Sequence, residues 1–443
     1  MEYPIFEVPY LGGSLLIAAI AIVHVFIAHF SVGAGCLIAV AEWRAIRAGD
    51  ESMRQQLRKY AWIILLGPYV LGTVTGVGIW FTIALVGPRA VSLLIHQFVW
   101  DWAIEWVFFI VEGVAIYIYV FYWDRMAPKA HNRVGWIFAI FSIATLLVIN
   151  AIVSFMLTPG DWQPFAAGAL NYKAIFNPTY IPSALSRILI CLALAGAGAV
   201  ALLAFDTKMP DEIKRKLSSL AYKFMLPAAL CIPLGIWTFA ELSDRAQIFL
   251  TGGAAPMQLF LGFGMAGLMT LLVATIVAMI RKNAIPSPMG ATLLCLLAFI
   301  SFGAMEFVRE GSRKPYVIEG FMYSTGVTPQ TAHRVDTQAN ITQTRSSGIL
   351  SVSGWPLIEW NGQGKPTPLQ RGRAVYRSAC LGCHSVDGYN AVRPLVKGWS
   401  DVTVNHLLDN MDEIKPSMPP FPGTERDKHD LVIYLKSLSA VEK

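Results

Sequence analysis

Charge is what this sequence has least of. Asp, Glu, Lys and Arg make up 14% of its 443 residues, against about a quarter in an ordinary soluble protein. So few charges cannot cover the surface of a water-soluble globule of this size, which excludes a mostly soluble chain. The same shortage, with a net charge of only +6, excludes a nucleic-acid binder. Six cysteines over this length are too few and too scattered for a disulfide framework. No internal repeat at solenoid periods is visible. A basic stretch ahead of the first apolar run is also missing, so that run is expected to be a retained helix and not a cleaved signal peptide.

Apolar residues, 55% of the total, fill the gap. They gather in runs separated by short charged clusters, and a bilayer-spanning helix needs about 20 such residues. The pattern predicts eight spans, at about 12–41, 61–86, 98–123, 134–156, 184–205, 222–240, 257–280 and 287–308. Lys and Arg in the short loops set the orientation. Four alternate loops carry fifteen: Arg44, Arg47, Arg54, Arg58 and Lys59; Arg125, Lys129 and Arg133; Lys208, Lys214, Arg215, Lys216 and Lys223; Arg281 and Lys282. The loops on the other side carry three, Arg89, Lys173 and Arg245. This asymmetry predicts a multi-pass membrane protein. The basic loops lie in the cytoplasm, and the N-terminus and everything beyond about 309 lie outside.

From Val317 to about Pro366 the chain turns polar, with no run long enough to span, and reads as a surface-lying extracytoplasmic linker. A small module follows from Thr367, with helical patterning at Gly372–Tyr376 and His429–Leu438. Within it, Cys380-Leu381-Gly382-Cys383-His384 is the c-type haem attachment motif. Two thiols at this spacing form thioethers to the two vinyl groups, and the adjacent His384 places an imidazole on the iron. A zinc site would need two more ligands, and no other cysteine lies in the module. Met418, in the Pro-flanked loop Lys415-Pro416-Ser417-Met418-Pro419-Pro420, is the candidate sixth ligand, with Met411 and His406 as rivals. A Met/His pair raises the potential.

A charged side chain at mid-bilayer costs roughly 2.5–3.5 kcal/mol on insertion scales, so each one calls for a purpose. The third span holds Asp101, Glu105 and Glu112. At about 100° per residue they line one face, running inward over about 16 Å. Three carboxylates on one stripe suit a proton path or a buried metal. His24 lies mid-span in the first helix and His29 on a different face, each either a hydrogen-bonded core residue or a haem ligand. Arg309-Glu310-Gly311-Ser312-Arg313-Lys314-Pro315 ends the last span, its cations suited to haem propionates or to an ordinary interfacial salt-bridge cluster.

These residues resemble the large subunit of the cytochrome bd quinol oxidases. The resemblance runs in order through Val23-His24-Val25-Phe26 and Ser31-Val32-Gly33, then Leu71-Gly72-Thr73-Val74-Thr75-Gly76, then Ala103-Ile104-Glu105, Glu112 and Trp123-Asp124-Arg125. It continues in Asn177-Pro178 and ends at Glu310 and Ser312-Arg313-Lys314-Pro315-Tyr316, covering about 1–316. It implies two closely spaced haems of b or d type near the outer face. His24 would be the axial ligand of the oxygen-binding haem and Glu310 a ligand of its high-spin neighbour. Glu105 and Glu112 would serve haem ligation and proton delivery, although Glu105 sits one residue closer to Glu112 than in the family. A second multi-helix membrane subunit is implied as partner.

The departures matter as much. The family's low-spin axial histidine falls at Ser186, beside Arg187, a cation suited to haem carboxylates, and its partner methionine near Phe260. Only about 240–256 stands where the family has its long quinol-binding loop. The expected fold is all-α: a polytopic transmembrane bundle of about eight spans over 1–316, a linker over 317–366 and an all-α cytochrome c domain over 367–443. The expected function is a respiratory oxidoreductase in which a periplasmic cytochrome, or another donor, feeds haem c and a buried haem pair reduces dioxygen. One alternative reverses the flow, from quinol or a partner subunit through six-coordinate b haems, with His29 as a ligand, to haem c. Another leaves the bundle as a membrane anchor for the cytochrome.

Overall fold

The computed structural model describes residues 5–162, 172–282, 284–329, 340–352 and 365–439. Among them are eight helices long and apolar enough to cross a membrane: Gly13–Ala48, Gly67–Val86, Val99–Phe121, Pro128–Leu157, Tyr180–Phe205, Asp211–Ala240, Ala255–Ile280 and Pro288–Ser312. They coincide with the eight predicted runs. The sixth is interrupted by a 3-10 segment, Leu226–Leu230, where Pro227 removes a backbone donor. The first span is central, packed by the second, fourth, fifth and eighth. Outward faces stay apolar, as Val70, Val74, Val77 and Phe81 show on the second span.

The two ends of the bundle differ chemically. At one end the basic loops interlock: Lys59 reaches Asp206 at 2.9 Å, Lys216 reaches Asp50 at 2.8 Å, and Arg54 donates to the Trp123 carbonyl at 3.2 Å. The surface helix Glu51–Ala61 is capped there by Asp50, which accepts from the Met53 amide at 2.9 Å. At the other end, the chain leaving the last span forms a short antiparallel hairpin, Tyr316–Ile318 with Met322–Tyr323, in register Tyr316 to Tyr323 and Ile318 to Met322. Its Ile318 and Met322 pack among Phe98, Phe155 and Trp162.

That hairpin corrects the expectation of a surface-lying linker. Ile318, Met322, Val327 and Ile349 are fully buried. Short apolar triplets cannot span a bilayer, but they suffice to plug the end of a bundle. Residues 330–339 and 353–364 of the expected linker lie outside the described residues.

The C-terminal module is built from Pro368–Ala379, Val392–Val396, Asp401–Asp409, Met411–Ile414 and Glu425–Ser439. Thr367 and Gln370 form a reciprocal capping box on its first helix. That helix crosses the last one at Gly372, where a Cβ would stand 1.9 Å from the Asp430 carbonyl oxygen. Only glycine permits this approach. The ion pair of Arg371 with Asp430 at 2.6 Å locks the crossing. Residues near the N-terminus tie the module to the bundle. Phe6 donates to the Leu85 carbonyl at 3.0 Å, the Tyr10 carbonyl accepts from the Tyr389 amide at 2.7 Å, and Ile5 enters the module's core.

Candidate haem sites and carboxylate path

In the module, Cys380 and Cys383 follow directly on the helix that ends at Ala379, which turns both thiols and His384 into one loop. His384 Nδ1 lies 3.0 Å from the Asn390 carbonyl oxygen. A carbonyl only accepts, so Nδ1 carries the proton and Nε2 keeps its lone pair for a metal. Asn390 also donates its side-chain amide to the Cys383 carbonyl at 2.8 Å, and Tyr376 donates to the His384 carbonyl at 3.0 Å. Asn390 does this from a left-handed conformation, φ 50°, which Asn tolerates better than most residues. The donor set and its tautomer fit a c-type haem. Met418 is half-buried in its loop, its amide bonded to the Lys415 carbonyl at 2.7 Å. Of the rivals, His406 is exposed, its Nδ1 taken by Asn410, and Met411 packs against the module's core.

In the bundle, His24 Nδ1 lies 3.0 Å from Thr75 Oγ1. That hydroxyl spends its own proton on the Leu71 or Gly72 carbonyl, at 2.7 and 3.1 Å. It can therefore only accept from His24, which again leaves Nε2 as the free ligand atom. Gly76 makes room for the ring: a Cβ there would stand 3.1 Å from His24 Cε1. This tautomer, fixed by a hydroxyl one helix away, fits an axial haem histidine.

His29 does not share that freedom. Its Nδ1 donates to the Val25 carbonyl at 2.7 Å, and its Nε2 faces an Arg187 nitrogen at 3.2 Å. Arginine only donates, so the Nε2 lone pair is already spent. The reading of His29 as a haem ligand is thereby lost. Arg187 also pairs with Glu306 at 3.0 Å, and Glu306 pairs in turn with Arg309 at 2.8 Å. Arg309 stands 3.7 Å from Glu310, and Arg313 forks onto both oxygens of Glu310. Arg187, Arg309 and Arg313 thus each face a carboxylate in one continuous array. Glu306 escaped the sequence reading. Its signal was a lone acid in the apolar run of the last span, four residues before Glu310 and so on the same face.

At Phe260 and Met257, where the resemblance leads to the methionine of a low-spin haem, the side chains are engaged in packing. Phe260 stacks on Phe307 with ring centroids 4.1 Å apart. Met257 is buried, its sulfur where a side chain on Gly311 would have to go. The link between the sixth and seventh spans is short and folded, holding only Asp244–Ile248 and Phe249–Gly253.

The third span is one unbroken helix, so Asp101, Glu105 and Glu112 share a face as the spacing predicts. Asp101 and Glu105 are half-buried and Glu112 is buried. Glu112 accepts from Ser142 at 2.9 Å and from Thr145 at 2.5 Å, both on the fourth span. Hydroxyls can pass a proton as well as donate one, so this contact continues the stripe into the neighbouring helix.

The model of the family described as cytochrome bd terminal oxidase subunit I matches residues 14–246, and that described as cytochrome c oxidase, cbb3-type, subunit III matches residues 367–435. Among solved structures, the chain is similar to the bd oxidase from Geobacillus thermodenitrificans at 17% identity and a TM-score of 0.60, over 70% of this chain and 89% of that one. This likeness shows the fold. Comparison with curated proteins finds no match. The first of the family matches takes in more than half of the sequence, from the first span past the sixth, and the chain is therefore a haem respiratory oxidoreductase that belongs to the cytochrome bd terminal oxidase subunit I family, with a cbb3-type cytochrome c domain at its C-terminus.

Proposed function

We propose that the chain is the core of a bd-like terminal oxidase fed by cytochrome c. When bound, haem c (on Cys380 and Cys383) supplies electron entry, and two further haems, of b or d type, supply dioxygen reduction in the bundle. The residue roles rest on the haem motif and the resemblance, with the hydrogen bonds above in support. His384 and Met418 hold the outer iron, with Asn390 fixing the imidazole. His24, oriented by Thr75, and Glu310 hold the inner pair. Arg187, Arg309 and Arg313 keep the carboxylates of that region charge-balanced and orient propionates. Asp101, Glu105 and Glu112 carry protons, with Ser142 and Thr145 as relays.

The single observation that carries this reading is a paired loss and gain. Ser186 and Phe260 cannot ligate iron, the quinol loop is reduced to a short turn, and a haem c motif stands at the same end of the bundle as the hairpin after Arg313. The module, the linker and the N-terminus then face the periplasm, as the loop charges require. A second multi-helix membrane subunit and a periplasmic cytochrome complete the assembly. Reduced-minus-oxidised spectra with and without carbon monoxide test the reading: a high-spin membrane haem that takes up the ligand supports it, and spectra of haem c alone, or of membrane haems all closed to carbon monoxide, overturn it.

A further inference from the structure

The end of the bundle that carries the basic loops holds a polar cluster that none of the haem chemistry uses. Glu42 on the first span and His131 at the start of the fourth are both fully buried. His131 Nδ1 lies 2.7 Å from Glu42 Oε1, and its Nε2 lies 2.8 Å from the Tyr119 backbone carbonyl. The carbonyl accepts only, so Nε2 carries a proton. Two lone pairs cannot face each other at 2.7 Å, so a second proton sits between Nδ1 and Oε1. The pair therefore holds one proton more than a neutral imidazole and a carboxylate would.

The neighbouring elements supply partners for the pair with and without that proton. Tyr119 on the third span donates its hydroxyl to Glu42 Oε2 at 2.8 Å, and Asn132 donates to the same oxygen at 3.3 Å. Arg54, from the surface helix, brings Nε to 3.5 Å from Glu42 Oε1. That Nε is buried and has no hydrogen-bond acceptor among the described residues. When the shared proton leaves, the Nδ1 and Oε1 lone pairs can no longer stay 2.7 Å apart, so Glu42 Oε1 must turn from the imidazole to Arg54 Nε, while Oε2 keeps its two donors and the imidazole keeps its Nε2 proton on the Tyr119 carbonyl. When it is present, the rings of Tyr119 and Trp123, centred 4.2 and 4.5 Å from that of His131, lie within cation–π distance of an imidazolium. Both states are provided for.

The cluster lies between the aqueous face of the basic loops and the carboxylate stripe. Arg54 reaches the exposed Glu51 at 3.3 Å. On the inner side, Tyr119 lies seven residues beyond Glu112, on the same face of the third span and about 10.5 Å along its axis. We infer that Glu42 and His131 form a proton-holding dyad that loads from the basic-loop side and supplies the Glu112 stripe. The supply half of this inference rests on the oxidase reading above, whereas the holding half stands without it. The step is a proton transfer alone: the shared proton departs, leaving a carboxylate on Arg54 and a neutral imidazole, and a proton from the aqueous side restores it.

The test uses the intact complex labelled with 15N-histidine in lipid. The His131 signals are assigned by their loss in H131Q or, if that variant does not accumulate, by their shift in E42Q. In resting native protein, the Nδ1 proton is expected to exchange with solvent deuterium at least about tenfold faster than the Nε2 proton. In E42Q, proton uptake during turnover is expected to slow by about 10²-fold or more, with reduction of haem c by its donor unchanged. Equal protection of both ring protons makes the cluster a sealed clasp between helices and overturns the proposal. Undiminished uptake in E42Q overturns the supply half. If native protein reduces no oxygen, the oxidase reading fails by itself, and the exchange measurement still decides the dyad.

Discussion

Arg187 sets one guanidinium nitrogen 3.0 Å from Glu306 and another 3.2 Å from His29, joining the fifth, eighth and first spans next to Ser186. The pair is nearly buried, with both side chains under a fifth exposed. Stranding a buried charge outright typically costs about 3–5 kcal/mol, but Glu306 keeps Arg309 at 2.8 Å when Arg187 is removed. R187M should therefore lose less stability than that, read as a fall in the denaturation midpoint of the purified protein. The double variant R187M/E306L should lose more, because Arg309 is then left with only Glu310 at 3.7 Å, which Arg313 already holds. A double variant more stable than R187M would show that Arg309 does not depend on Glu306.

Haem c should report on its own ligands without reference to the bundle. M418A is expected to lower the haem c midpoint potential by more than about 59 mV, one decade for a one-electron couple, because thioether ligation raises it. M411A and H406A should leave it unchanged. Redox titration of the three variants decides among the candidates. N390A should broaden the ligand field of His384 without releasing the haem, since covalent attachment rests on Cys380 and Cys383.

Glu112, fixed by Ser142 and Thr145, is the innermost of the three carboxylates. E112Q keeps the shape and removes the exchangeable proton. It should lower turnover by about 10²–10⁴-fold, the range for a lost acid–base group, while the rate of haem c reduction stays as in the native protein. T145V, which removes one relay hydroxyl, should fall between the two.

Acid should loosen the basic-loop end at one identifiable point. Asp206 accepts from the Tyr60 hydroxyl, from Lys59 at 2.9 Å and from the amides of Lys208 and Met209. The Tyr60 hydrogen bond first, and Lys59 next, hold its carboxyl well below the usual carboxylate range. A depressed folded value means that the stabilisation is present above the unfolded value, about pH 3.9, and is lost as pH falls from there through the folded one. D206N should be less stable than the native chain at neutral pH and should show a shallower loss of stability below about pH 4. Melting curves across that range measure both.

The bundle was legible because hydropathy is a one-dimensional signal: all eight spans were read from run length alone. The haem c loop was legible because covalent chemistry fixes its spacing in sequence; His24 and Glu112 stood out as polar atoms in apolar runs, whereas Glu310, in a charged cluster, drew its expected role from the resemblance alone. Partnership was not legible. Nothing in the sequence joins Arg187 to Glu306, 119 residues away, or Glu42 to His131, 89 residues away, since helix packing alone brings them together. Glu42 and Arg54 also lie among the charges that flank the first loop, where burial cannot be distinguished from solvation. The apolar triplets around Ile318 and Met322 were read as surface for a related reason, being too short to register in any window that finds a span.

The most direct test of haem c as the electron entry is oxygen uptake by the purified native complex with two donors supplied separately, a reduced soluble cytochrome c and a short-chain quinol. Uptake with the cytochrome, abolished in C380A/C383A, and none with the quinol is the expected result. Quinol-driven uptake that survives loss of both cysteines, or quinol-driven reduction of haem c with no oxygen consumed, would contradict it.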